Sequence, residues 1–231
     1  MQTVDLSNPY KAKMEAERLG VPVESLYNMD IKLKTQLIEK NPDNPRLYLE
    51  RGNDYYETQN YGAAIKDYKR VEELQPNNPT VYHYLGDCFD QIGQIEKAIE
   101  YFTKAINFSD YEGLDSVYEH RAILFMNQEE FNKALNDINK AIELRPEGVS
   151  EYYHYRSMIY YALKDIENAQ KDYEHWRDLK ISSFKNLLSS WSYKDKEQML
   201  FNLFTSLNNE DQLNFLSQSL VDFGPNSLVH P

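Results

Sequence analysis

Five histidines, one cysteine and a scatter of carboxylates are the side chains here best suited to carry chemistry. His83, His120 and His154 fall inside helical patterns, yet no two histidines share the i, i+4 spacing that sets two imidazoles on one helix face. No cysteine-rich cluster accompanies them, so no metal is expected and the histidines read as solvent-facing. Asp87 and Asp90 stand one helical turn apart, a spacing usually seen as solvated charge on a helix face. There is no glycine-rich phosphate loop, no nucleophile elbow and no zinc-hydrolase helix motif. Neither an enzyme nor a cofactor is expected. Cys88 cannot form an intrachain disulfide, because it is the sole cysteine, and within a helical pattern it reads as a buried, inert thiol.

Charge narrows the partners. Trp176, Trp191 and the run Tyr152-Tyr153-His154-Tyr155 would suit base stacking, but stacking platforms come with basic grooves. This chain carries a formal charge of −12 and a pI near 4.9, with its basic residues scattered singly or in pairs such as Lys69–Arg70. Phosphate backbones and anionic membrane surfaces repel such a chain, so nucleic acid and membrane are excluded as expected partners. A cationic or mixed peptide is favoured. No stretch of about 18 apolar residues is present, and no basic n-region with an apolar h-region opens the chain. Cytoplasmic residence is the default expectation.

What positions these residues is a repeat. Asn41-Pro42-Asp43-Asn44-Pro45 recurs as Gln75-Pro76-Asn77-Asn78-Pro79, an offset of 76 − 42 = 34 residues. In each, the first proline stops a helix, the Asn and Asp residues turn the chain, and the second proline opens the next helix. Arg145-Pro146-Glu147-Gly148 lies two periods plus two residues beyond Pro76, the extra pair fitting the Tyr111–Gly113 loop. Large, small and aromatic residues recur in register. Residues 45–78 give Tyr48, Gly52, Tyr55, Ala64, Tyr68, Val71 and Pro76; residues 79–114 give Tyr82, Gly86, Phe89, Ala98, Phe102 and Ala105. Residues 115–148 give Tyr118, Ala122, Phe125, Ala134, Ile138, Ala141 and Pro146. Residues 150–183 give Tyr153, Ser157, Tyr160, Ala169, Tyr173 and Trp176, without the terminal proline.

A helix-turn-helix period of this length and pattern resembles the tetratricopeptide repeat family. The resemblance implies an all-α, right-handed α-solenoid of about four helical hairpins, in which Gly52, Gly86, Ala122 and Ser157 face Ala64, Ala98, Ala134 and Ala169 across each hairpin. One hairpin cannot bury its apolar face alone, so capping helices are expected at both ends. Residues 1–44 are read as N-terminal caps, with a short helix near Tyr10–Leu19. A second, Glu24 to Lys40, carries the apolar stripe Leu26, Met29, Leu33, Leu37 and Ile38 and stands in for the second helix of an incomplete hairpin. Residues 184–231 are read as C-terminal caps and tail, with stripes at Met199, Leu200, Leu203, Phe204 and Leu207 and at Leu213, Phe215, Leu216 and Leu220. These C-terminal helices would alternatively serve docking or self-association.

Family geometry assigns a partner-binding concave groove to the first helices. It comprises Leu49, Glu50, Asn53 and Tyr56; His83, Tyr84, Asp87 and Asp90; Glu119, His120, Ile123 and Met126; and His154, Tyr155, Met158 and Tyr161. Carboxylates, imidazoles, aromatics and a few apolar pockets suit a peptide or helix with basic and apolar anchors. The clamp by which some members hold chaperone C-terminal tails is matched only by Asn53. Leu49, Tyr84, Ser116 and His120 stand where lysine, asparagine or arginine is wanted, so such a tail is not the expected ligand. The expected function is a protein-binding scaffold or adaptor. The alternatives are a self-associating structural protein, which would be a homo-oligomer, and a peptide-sensing regulatory module.

Overall fold

The computed structural model describes residues 9–146 and 149–189, and the described residues are helical with no strand. Two compact units divide the chain, Met1–Trp176 and Arg177–Pro231. In the first, α1 (Pro9–Leu19) and α2 (Val23–Lys40) precede the hairpins α3 (Pro45–Glu57)–α4 (Tyr61–Leu74), α5 (Pro79–Gln91)–α6 (Ile95–Ile106) and α7 (Leu114–Asn127)–α8 (Phe131–Leu144). Then come α9 (Ser150–Ala162) and α10 (Ile166–Ser189). Consecutive helices from α1 through α9 pack on one another, so this unit is an all-α solenoid. Within the second unit the described residues are the last turns of α10. No proline stops the fourth repeat, and α10 accordingly runs beyond residue 183. The stripes expected between residues 199 and 220, and Trp191, lie outside the described residues.

The turns form as their chemistry dictates. Pro45 and Pro79 occupy the first turns of α3 and α5, and the preceding Asn44 and Asn78 side chains accept from the backbone N–H groups of Arg46 and Val81. Between the two helices of each hairpin one residue takes the left-handed conformation: Gln59 (φ 59°), Gly93 (73°), Glu129 (59°) and Lys164 (66°). Only the second hairpin has glycine there, the residue that adopts this backbone without strain.

Two apolar clusters make the core of the repeats, and a third, of Ala12, Ala16, Leu26 and Tyr27, joins α1 to α2. One gathers Ala64, Tyr68, Val71, Val81, Leu85, Cys88, Ala98, Phe102 and Ala105; the other Ala122, Ala134, Ile138, Ala141, Tyr152 and Ile159. Cys88 is fully buried, and burial, helped by the charge of Asp87, pushes its thiol up to about 12. Two glycines pack closely against aromatic rings. A Cβ added at Gly52 would lie 2.5 Å from the Tyr68 ring, and one at Gly86 would strike Phe102, so these glycines make room for an aromatic ring on the second helix. In α2, Leu26 and Ile38 are buried, but Met29, Leu33 and Leu37 are exposed; the buried positions between them go to Tyr27 and Lys34.

Polar pins run through this core. Arg51, Arg121 and Arg156 each donate two bonds, 2.6–2.8 Å long, to Asp67, Asp137 and Asp172 on the second helix of their own hairpin. Each also donates backwards, to Thr35, Thr103 and Asn139 on the preceding second helix. One guanidinium thus ties three helices, sandwiched between aromatics such as Tyr48 and Tyr55 or Tyr118 and Phe125. The second hairpin substitutes Leu85 and Tyr101, both buried, at the corresponding positions. Tyr101 stacks on Phe89, and Lys69 of the preceding second helix donates to its hydroxyl. The hydroxyls of Tyr48, Tyr82 and Tyr153 each donate to the carbonyl of the proline in the preceding turn, Pro42, Pro76 and Pro146. At the N-terminal joint, Lys34 bridges Asp30 and the buried Asp54, 2.6 Å from the latter. Burial raises the Asp54 carboxyl to about 6 against the opposing pull of Lys34.

Candidate functional site

The face offered by the first helices collects charge and aromatic surface at the junction of the first two hairpins. A cavity of about 150 Å³ is lined by Asn53, Asp54, Tyr56 and Glu57 of α3, Tyr68 of α4, and Tyr84 and Asp87 of α5. Its walls are held. Tyr68 donates to Asn53 over 2.8 Å and its ring lies 5.5 Å from that of Tyr84, while Tyr56 packs edge-on against Tyr61. Asp54 is committed to Lys34 and one oxygen of Asp87 accepts from His120, which leaves Glu57 and the second oxygen of Asp87 to meet a cation in the cavity. Burial raises the Glu57 carboxyl and the Tyr84 phenol, the latter with help from Asp87. A carboxylate-rimmed aromatic slot of this kind holds a lysine or arginine side chain by ion pairing at its mouth and cation–π contact along its stem.

Next to it lies a tighter cluster. His120 Nδ1 donates to Asp87 Oδ1 over 2.7 Å, while His83 Nε2 stands 3.4 Å from His120 Nδ1 and 3.6 Å from Asp87 Oδ2. His83 Nδ1 is 2.9 Å from the hydroxyl of Tyr111, in the loop before α7. Burial lowers the pKa of His83, with His120 adding to the shift and Asp87 opposing it. Burial would also lower His120, but its bond to Asp87 and the charges of Asp87, Glu119 and Asp90 outweigh this and raise it. The expectation of solvent-facing histidines therefore fails for His83, which is buried. Spacing along one helix carries no information about an imidazole supplied by the next repeat.

The remaining groove residues divide. His154, Met158 and Tyr161 line an apolar cavity of about 440 Å³ with Ile166 and Tyr173, and the His154 ring stacks on Trp176. Asp90 and Glu119 are half-buried beside the histidine cluster, and burial raises both carboxyls. Leu49, Met126 and Tyr155 pack against the apolar clusters, Ile123 is half-buried, and Glu50 pairs with Arg46. Glu57, Tyr68 and Tyr111 were missed by sequence reasoning. Glu57 follows Tyr56 directly, and a carboxylate at the end of a groove-lining helix is the signal that would have found it.

Hairpins in series, each lending its first helix to one face, define a helical-repeat solenoid of the interaction-scaffold type. Comparison with known proteins agrees. The family model described as "TPR repeat" matches residues 52–93, and that of the "Tetratricopeptide repeat" matches residues 79–110 and 115–147. Residues 52–147 thus carry tetratricopeptide repeats, and proteins of that family generally act as protein–protein interaction scaffolds. It is 32% identical over 124 residues to tetratricopeptide repeat protein 13 of Homo sapiens, a match covering 52% of this chain and 14% of that protein. It is 29% identical over 178 residues to serine/threonine-protein phosphatase 5 of Homo sapiens, covering 75% of this chain and 32% of that protein. The matches thus span less than a third of either relative's length. Among solved structures, MamA superposes with a TM-score of 0.66 at 17% identity, covering 79% of this chain and 99% of MamA. YrrB, a TPR protein with an unusual peptide-binding site, superposes with a TM-score of 0.56 at 16% identity, covering 80% and 89%. Both show likeness of fold. Among the described residues no helix is long and apolar enough to cross a membrane.

Proposed function

We propose that the chain is a cytoplasmic protein-binding scaffold that takes an extended segment of a partner along the first-helix face, anchored by a basic side chain. The observation that carries this reading is the cavity between α3 and α5, where Glu57 and Asp87 face the rings of Tyr56, Tyr68 and Tyr84. Its walls are prearranged by the Tyr68–Asn53 bond, so little ordering entropy opposes binding. The apolar cavity beside Met158 and Tyr161 supplies a second anchor point for a leucine-like side chain further along the same peptide. The likeness of fold to YrrB, a TPR protein with an unusual peptide-binding site, supports a peptide as the ligand class.

The test is fluorescence anisotropy with labelled peptides carrying lysine or arginine and leucine, set against the same peptides with the basic residues changed to glutamate. Asp87→Lys with Asp90→Lys should weaken the basic peptides by about tenfold or more, about 1.4 kcal/mol or more, with helicity retained. Equal binding of both peptide classes, or undiminished binding to the doubly reversed protein at low salt, would overturn the proposal.

A further inference from the structure

We propose that His83 Nε2, His120 Nδ1 and the Asp87 carboxylate form a binding site for one divalent transition-metal ion of the zinc class, joining the second and third repeats. Among the described residues these three alone bring donor atoms of at least three His, Cys, Asp or Glu side chains within 4.8 Å of one another. Their separations are 2.7, 3.4 and 3.6 Å. Donors bonded at about 2.0–2.1 Å around a tetrahedral ion stand about 3.3 Å apart, so small side-chain adjustments seat an ion between them. Two imidazoles and one carboxylate suit zinc, nickel, cobalt and copper better than magnesium or calcium, which want oxygen donors.

The surroundings support the assignment independently. A ligating imidazole needs its second nitrogen held by a hydrogen bond, which sets the tautomer and aims the ring. Tyr111 does this for His83: with Nδ1–H donating to the phenol oxygen, Nε2 presents its lone pair to the cluster. The Phe102 ring packs against both imidazoles, at centroid distances of 6.0 and 5.7 Å, and restricts their rotation. Asp90 and Glu119 add negative charge beside the site, as their influence on His120 shows. A bound dication takes the place of the proton that His120 shares with Asp87.

The site is built as an open one. His83 and Asp87 lie one turn apart on α5, their side chains 9% and 16% exposed, whereas the His120 side chain from α7 is 39% exposed. Three protein donors with one accessible flank leave a coordination position facing the groove, which water or a partner's donor atom would complete. Asp87 also lines the basic-anchor cavity but neither histidine does, so ion binding measured without peptide is read at His83 and His120.

The experiment uses the full chain without an affinity tag, stripped by a chelator and dialysed, and titrated with Zn2+, Ni2+ and Co2+ without peptide. Calorimetry should give one ion per chain, and Co2+ should develop visible ligand-field absorption. His83→Gln and His120→Gln should each weaken binding by more than about 100-fold, and Tyr111→Phe by about tenfold or more, as for loss of an outer-shell partner. His154→Gln should bind as the wild type does. Should His83→Gln fail to fold, the more exposed His120→Gln carries the test, with circular dichroism as the folding control. No binding up to about 1 mM ion, far weaker than zinc-class protein sites, would overturn the inference. So would equal binding by wild type and His120→Gln, and the cluster would then be an ion pair between His120 and Asp87 resting on a neutral His83.

Discussion

Replacing Arg121 and Asp137 together by the residues of the second hairpin should be far less harmful than replacing either alone. The two hairpins are offset by 121 − 85 = 137 − 101 = 36 residues, so Arg121→Leu and Asp137→Tyr copy Leu85 and Tyr101. The Arg121 and Asp137 side chains are 16% and 7% exposed and share two bonds of 2.7 and 2.8 Å. Removing one partner from a buried pair costs about 3–5 kcal/mol, because the other charge is left in a poorly solvated place. The residual exposure of Arg121 lets some water in, which puts Arg121→Leu near 3 kcal/mol, including about 1 kcal/mol for the bond to Thr103. The double variant should return to within about 1 kcal/mol of wild type, since a well-packed apolar pair commonly matches a buried ion pair. The tyrosine hydroxyl introduced at position 137 would face Thr103, as that of Tyr101 meets Lys69. The coupling energy is then about 3 kcal/mol or more, well beyond additivity. Urea titration followed by circular dichroism measures it, and in heating the singles should melt roughly 6–12 °C below wild type. Singles costing under about 1 kcal/mol, or a double variant as unstable as the two singles summed, would refute the reasoning, because the guanidinium would then not be a pin.

Other outcomes follow from the same joints. Lys34→Met should cost about 3 kcal/mol by stranding the Asp54 carboxylate. Asp54 would then have a folded pKa still further above its unfolded value of about 3.9, so its favourable contribution is lost as pH rises, and the variant should be less impaired at pH 5 than at pH 8. Thermal melts at the two pH values check both the size and the sign. Gly52→Ala should destabilise by about 1–3 kcal/mol, because the methyl group meets the Tyr68 ring, whereas Gly62→Ala, which meets open space, should not; urea midpoints decide between them. Glu129→Gly should stabilise by roughly 0.5–1 kcal/mol, the relief of a left-handed glutamate less the added entropy of the unfolded chain, and calorimetry should show the higher melting temperature.

The helical hairpins were legible because their signals are local. Pro45 and Pro79 announce helix starts, Asn44 and Asn78 their caps, and the 34-residue recurrence needs no knowledge of contacts. Contacts between repeats were not legible. Arg51 and Asp67 lie 16 residues apart, and their pairing depends on how two helices cross; only the recurrence of arginine and aspartate in three of four repeats hints at it. The same blindness hid the meeting of His83 with His120, 37 residues on, and of His83 with Tyr111 from a loop. On the groove, Asn53, Tyr56, Tyr84 and Asp87, assigned from family geometry, line one cavity. Whether residues at the edge of a helical face, such as Leu49, Met126 and Tyr155, turn inward or outward depends on neighbours that the sequence does not reveal.

The burial of Cys88 gives the molecule an internal clock. Burial holds its thiol protonated at pH 8, and the side chain has no solvent-exposed surface. A thiol reagent therefore labels the chain only while α5 parts from its neighbours. Because Cys88 is the sole thiol, the mass increase counts those openings without a background to subtract. Labelling rates would thus time the breathing of the middle of the array while both ends remain silent, and show whether a ligand in the groove, a few ångströms from Asp87, slows it.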